Sequence, residues 1–117
     1  MPGKAKSDSV AQILAALGNP TRFALVKRLS TAETFAGLSI VELTAASGLT
    51  RQAITKHLET LEEAGLVIRR KPGRATWYEL KKEPIQSVIE ALSAVANLRA
   101  ESQRKLKAAE RSFRAKL

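Results

Sequence analysis

Only three residues, Ser47-Gly48-Leu49, separate two stretches of helical spacing at 39–46 and 50–64. A joint this short must be a tight turn, and Gly48 supplies the positive φ that such a turn needs. Ser39 and Thr50 are suited to cap the two helices, which would bury Ile40 and Leu43 on the first and Ile54, Leu58 and Leu61 on the second. The period then changes. Leu66-Val67-Ile68-Arg69-Arg70 and Thr76-Trp77-Tyr78-Glu79-Leu80 are rich in β-branched and aromatic residues, and they flank Pro72-Gly73-Arg74. That is the pattern of a β-hairpin.

Helix, tight turn, helix and basic hairpin in succession are the plan of a winged helix-turn-helix. The flanking sequence fits it. Residues 1–9 read as a flexible arm carrying Lys4 and Lys6. Val10, Ile13, Leu14 and Leu17 lie at the spacing of a short amphipathic helix. Gly18-Asn19-Pro20 then stops one helix and starts the next, with Asn19 as N-cap and Pro20 at the first helical position. That second helix runs to about residue 30, with Phe23, Leu25, Val26 and Leu29 facing inward. Residues 31–38 form a loop or single turn in which Phe35 and Leu38 plug the core. Pro84 opens the final helix, and Ile85, Val88, Ile89, Leu92, Val95 and Ala96 share one stripe of it. Beyond Leu98 the stripe passes through Arg99, Gln103, Leu106, Lys107, Glu110 and Phe113 and fades. A helix from 84 to 115 would be roughly 48 Å long, more than a domain of this size can cover. The expected fold is therefore mainly α, with five helices and a two-stranded β-wing. It divides into an N-terminal arm (1–9), a winged helix-turn-helix domain for DNA binding and dimerisation (10–98) and a basic helical extension (99–117).

Composition narrows the function. The 117 residues carry 20 Lys and Arg against 11 Asp and Glu, a net charge of +9, while 44% are hydrophobic. A chain that basic and still able to bury a core most often serves nucleic acid. The charge is uneven, with nine cations and four carboxylates after residue 80. The absence of cysteine excludes disulfides, thiolate metal sites and thiol nucleophiles. The single histidine, His57, cannot assemble a multi-histidine metal site or a nucleophile, base and orienter cluster, so neither an enzyme nor a cofactor is expected. No apolar run approaches the ~18 residues of a membrane span, and no secretory signal is expected. The expected place of action is the cytoplasm.

At 100° per residue, Ile54, His57, Leu58 and Leu61 fall on one side of the helix that begins after Thr50, and Gln52, Thr55, Lys56, Glu59 and Glu63 on the other. The first two exposed turns thus present Arg51, Gln52, Thr55 and Lys56. Arginine can pair with guanine and glutamine with adenine in the major groove. Glu59, Glu62 and Glu63 sit further back, where they would repel phosphate, so this helix should enter the groove N-terminus first. Thr50 and the positive end of the helix dipole suit a phosphate contact. The ordinary alternative for these side chains is a solvated helix face. On the hairpin, Arg69, Arg70, Lys71 and Arg74 surround a rigid turn and can lie over the minor groove or the backbone; the alternative is a charged edge that discourages aggregation. Trp77 and Tyr78 are adjacent on a strand, so one packs inward and the other does not. His57, on the apolar edge, is expected to pack with a hydrogen bond.

Three stretches of this sequence resemble the arsenic-repressor (ArsR) family of bacterial winged-helix regulators. Gly18–Val26, GNPTRFALV, is similar to the family's opening into its second helix. Ala53–Val67, AITKHLETLEEAGLV, is similar to its recognition-helix signature, and Gly73-Arg74 with Tyr78 match its wing. The resemblance implies a homodimer formed by the first and last helices, here through Ile13, Leu14, Ile85, Val88, Ile89, Leu92, Val95 and Ala96. It also implies binding to an imperfect inverted repeat in double-stranded DNA and repression of transcription. Independently, an apolar stripe on a terminal helix needs a partner, and half-sites about 34 Å apart need two reading helices. Many family members sense metals through cysteines in the third helix, where this chain has Ser39 and Val41. On the last helix Glu83 and Glu90 stand about 10 Å apart along the axis, too far for one ion, and no histidine accompanies them. No metal site is therefore expected, and the effector stays open. Two other uses of the fold compete. One is a nonspecific architectural DNA binder acting through Arg99, Arg104, Lys105, Lys107, Arg111, Arg114 and Lys116. The other is a winged helix turned to protein interaction. The segment from Arg99 onward reads either as a solvated helix or as a contact to flanking DNA.

Overall fold

The local signals at the helix starts set the architecture. In a computed structural model, which describes residues 6–33 and 37–116, Asn19 accepts backbone hydrogen bonds from Thr21 and Arg22 at 2.9 and 3.1 Å and starts α2 (Pro20–Ser30). Ser39 Oγ accepts from the Glu42 amide at 3.2 Å and starts α3 (Ile40–Ser47). Its hydroxyl also donates to the Glu42 carboxylate at 3.1 Å, so the Ser-Ile-Val-Glu sequence closes on itself as a cap. Gly48, at φ 72°, ends α3, and Thr50 Oγ1 accepts from the Ala53 amide at 3.1 Å to start α4 (Arg51–Glu63). The expected helix-turn-helix is in place, with its boundaries within a residue.

The remaining elements are α1 (Lys6–Leu17), β1 (Leu38–Ser39), β2 (Val67–Arg70), β3 (Trp77–Leu80) and α5 (Lys82–Ala115). Among the described residues there are thus five helices and a small antiparallel sheet in the order β1-β3-β2. The hairpin pairs Arg70 with Trp77 and Val67 with Leu80. The third strand was not expected. Leu38 and Ser39 pair with Tyr78 and Trp77, and the chain approaches so closely that a Cβ on Gly37 (φ 80°) would lie 1.9 Å from the Tyr78 carbonyl oxygen. Only glycine fits there. Leu38 still packs against the core as expected, but from a strand.

Three other expectations need correction. Helix α1 begins at Lys6 and not at Val10. Phe23 does not face inward: it is 50% exposed, with the Lys27 ammonium 5.9 Å from its ring centre. Helix α5 begins two residues before Pro84 and runs through residue 98 without a break for 34 residues. Lys4 and Phe35 lie outside the described residues, as do the side chains of Lys6 and Arg99.

The core gathers one face from each element. Leu25, Val26 and Leu29 of α2, Ile40 and Leu43 of α3, and Ile54, Leu58 and Leu61 of α4 meet Leu66, Val67, Tyr78, Ile13 and Val88. Leu43, Ile54, Leu58, Leu61 and Leu66 are the largest fully buried side chains, each contributing about 1.5–3 kcal/mol of burial. They hold α4 by one face and leave the opposite face to solvent.

Candidate nucleic-acid interface

Because Ile54, Leu58 and Leu61 have no exposed surface, the rotation of α4 about its axis is fixed. Arg51, Gln52 and Lys56 then stand exposed on its first two turns, with Thr50 exposed at the cap. Thr55 is half-buried, and its hydroxyl donates to the Arg51 carbonyl at 2.8 Å, leaving its lone pairs as acceptors. Unpaired amides and the positive end of the helix dipole lie at the same end. The five residues expected on the reading helix are thus brought together around one helix terminus, four of them open to solvent.

Glu62 turns toward the wing. Its carboxylate lies 3.8 Å from Arg69 Nε, while Arg70 makes contacts of 3.0 Å through Nε and Nη2 to Glu79. Such exposed pairs are worth ~0–1 kcal/mol and can yield to a stronger anion. Lys71 and Arg74, at the hairpin tip, are exposed and make no ion pair among the described residues. The wing therefore offers two unengaged cations and two already matched with carboxylates, a division that charge counting could not reveal.

Below this surface, Tyr78 is the inward member of the aromatic pair and Trp77 is half-buried. Burial raises the Tyr78 phenol pKa above its ordinary value; nearby Arg69 opposes the shift, while Glu62 and Glu59 add to it. Tyr78 thus sits beneath the junction of α4 and the wing. His57 is half-buried with a hydrogen-bond partner, as expected, and the partner is Arg22. Arg22 Nη1 lies 3.4 Å from His57 Nδ1, and its Nε donates to the Ala16 carbonyl at 2.7 Å. This arginine ties the end of α1 to the flank of α4. The sequence reading did not assign it a role, although it stands in the GNPTR stretch just after a helix start.

Of the two positions that the family resemblance singled out on the third helix, Ser39 is buried and occupied as a cap, and Val41 is 64% exposed. No group of three or more His, Cys, Asp or Glu that could hold a metal occurs among the described residues, and no described helix is long and apolar enough to cross a membrane. Of the residues expected at a dimer interface, Ile13 and Val88 are buried within the single chain and Ile85 packs against the core. Leu14, Ile89, Leu92, Val95 and Ala96 are exposed, and they form the part of that set available to a partner.

A helix-turn-helix domain family matches residues 17–70. The chain is 37% identical over 94 residues to a Halobacterium salinarum protein named as the arsenical resistance operon repressor ArsR2, covering 78% of this chain and 76% of that one. It is 30% identical over 90 residues to the biofilm growth-associated repressor of Agrobacterium fabrum, covering 77% and 74% of the two chains. Among solved structures, an ArsR-like transcriptional regulator from Rhodococcus sp. RHA1 superposes with a TM-score of 0.68 at 28% identity, over 90% of this chain and 92% of that one. With its helix-turn-helix, wing and terminal helices in this arrangement, the chain belongs to the ArsR family of winged helix-turn-helix transcriptional regulators.

Proposed function

We propose that the protein is a sequence-specific repressor that acts as a homodimer on an imperfect inverted repeat, in the cytoplasm and on the nucleoid. The observation that carries this reading is the fixed rotation of α4. Its apolar face is fully buried, and Arg51, Gln52 and Lys56 project from its first two turns beside the wing. In this reading Arg51 and Gln52 contact base edges, while Thr50, Thr55 and Lys56 contact bases or phosphate. Lys71 and Arg74 hold the backbone or minor groove, and Arg69 and Arg70 exchange their carboxylate partners for phosphate. A second copy supplies the second half-site, docking against Leu14 of α1 and Ile89, Leu92, Val95 and Ala96 of α5. Exposed apolar side chains in a row support that assignment. Regulation proceeds without a metal at the third helix, since Ser39 and Val41 offer no thiolate and Ser39 is engaged as a cap.

Fluorescence anisotropy on duplex DNA from upstream of the protein's own gene, beside a shuffled duplex and across a salt series, tests the reading. Preference for the native duplex by about 10³ that persists near 150 mM salt is the expected result. Equal affinity for both duplexes, collapsing with salt, would replace it with backbone-only binding.

A further inference from the structure

One side chain bridges three helices. Arg22 stands at the third position of α2, where a cation opposes the positive end of its own helix dipole, and Asn19 holds its amide at 3.1 Å. The guanidinium serves two other helices instead. Nε donates to the Ala16 carbonyl at 2.7 Å and Nη2 to the Ala15 carbonyl at 3.4 Å, at the C-terminal end of α1, whose last turn has no basic residue of its own. Nη1 lies 3.4 Å from His57 Nδ1 on α4, and since a guanidinium only donates, Nδ1 is the acceptor. The first is a short charge-assisted bond; the other two are longer and complete the fork. Beside this bridge the two helices interlock little. Ala15 and Ala16 of α1 and Thr60 and Ala64 of α4 line a cleft of about 180 Å³, with Arg22 on its rim. The buried contacts of Ile54, Leu58 and Leu61 decide which face of α4 turns inward, but apolar contact is non-directional. Hydrogen bonds have direction, and a fork of them can fix the tilt of α4 against α1.

We infer that Arg22 is a positioning residue for DNA reading: by joining the α1 carbonyls to His57 it fixes the tilt of α4, and with it the spacing between half-sites that the protein accepts. The inference rests on the two-copy reading above, in which Leu14, just before these carbonyls, lies against the second copy. His57 stands about 140° round α4 from Gln52, so the bridge holds the helix from behind its reading face. One added base pair moves a half-site by about 3.4 Å and by roughly a tenth of a turn. A reading helix tied to α1 cannot follow that change. An untied one can, and it binds the original spacing more weakly because it must be ordered on binding.

To test this, the full-length protein first enriches duplexes from a random-sequence pool. If no inverted repeat is enriched, the two-copy reading fails and takes this inference with it. Fluorescence anisotropy then compares the enriched repeat, the same repeat with one base pair inserted between its half-sites, and one half-site alone. The unmodified protein should lose at least about tenfold in affinity on insertion. Arg22→Lys keeps the charge and loses the fork. It should bind the enriched repeat about three- to tenfold more weakly, lose less than about twofold on insertion, and hold its half-site affinity within about twofold. His57→Phe should behave in the same way, whereas His57→Asn, whose Oδ1 stands in for Nδ1, should restore the preference of the unmodified protein. Circular dichroism melts establish that each variant is folded at the assay temperature. A spacing preference retained in full by either Arg22→Lys or His57→Phe overturns the inference. Equal losses on the repeat and on the half-site also overturn it, since they would make the bridge a support of the fold alone. An unmodified protein indifferent to the insertion overturns it while leaving the two-copy reading intact.

Discussion

Helices α4 and α5 are both amphipathic, and they dispose of their apolar faces in opposite ways. In α4 that face is finished inside the chain: Ile54, Leu58 and Leu61 have no exposed surface, and what the helix shows to solvent is Arg51, Gln52 and Lys56. In α5 the face is barely begun, with Val88 buried and Ile89, Leu92 and Val95 each more than half exposed. A helix complete within its own chain has a polar surface free for a polar ligand, whereas an incomplete one has an apolar surface that only another apolar surface satisfies. In the proposed function, contact with DNA and contact with a second copy fall to different helices, and each can be broken separately.

The largest effect should come from the buried side of the comparison. Leu58→Ala should lower unfolding stability by about 2–5 kcal/mol in a denaturant titration and abolish DNA binding along with the fold. A loss under about 1 kcal/mol would show that the α4 face is not the anchor described. Next comes the open side. Leu92→Glu should leave the helical circular dichroism unchanged, convert the dimer to a monomer in sedimentation, and weaken binding to the inverted repeat on the order of a hundredfold. An intact dimer would remove α5 from the interface.

The polar surface of α4 gives a smaller and more selective effect. Arg51→Ala or Gln52→Ala should cost about 1–3 kcal/mol at the specific site and leave affinity for random duplex nearly unchanged. Normal discrimination by both variants would move base reading away from this helix. The wing should give the smallest effect, and an uneven one. Lys71→Ala and Arg74→Ala should each reduce the salt slope of binding by about one, on specific and random DNA alike. Arg69→Ala and Arg70→Ala should change it less, because Glu62 and Glu79 already neutralise them in the free protein. Equal slopes for all four would mean that those pairs dissolve completely on DNA.

What could be read from the sequence was whatever local spacing decides. The caps Asn19, Ser39 and Thr50, the turn at Gly48 and the apolar face of α4 each depend on residues within one or two helical turns, and all were legible. Strand β1 was not, because two residues gain strand character only by pairing with Trp77 and Tyr78, nearly forty positions away. The Arg22–His57 contact spans a similar distance and was missed for the same reason. Phe23 was a different error. At 100° per residue it stands well off the line through Leu25, Val26 and Leu29, on the side of α2 that faces solvent. On the wing, the four cations were legible as charges, while their division into engaged and unengaged pairs depended on where Glu62 and Glu79 came to rest.

Ser39 holds two elements at once. It ends β1, starts α3 and is buried where it does both, so one small hydroxyl joins the wing's sheet to the helix-turn-helix. Ser39→Cys would place a thiol at the start of α3 and at the same time replace a good helix cap by a poor one, at a cost of about 0.5–2 kcal/mol. At this position a cap and a metal-binding thiolate therefore compete for one side chain, and any gain in ion binding would begin from a loss of stability.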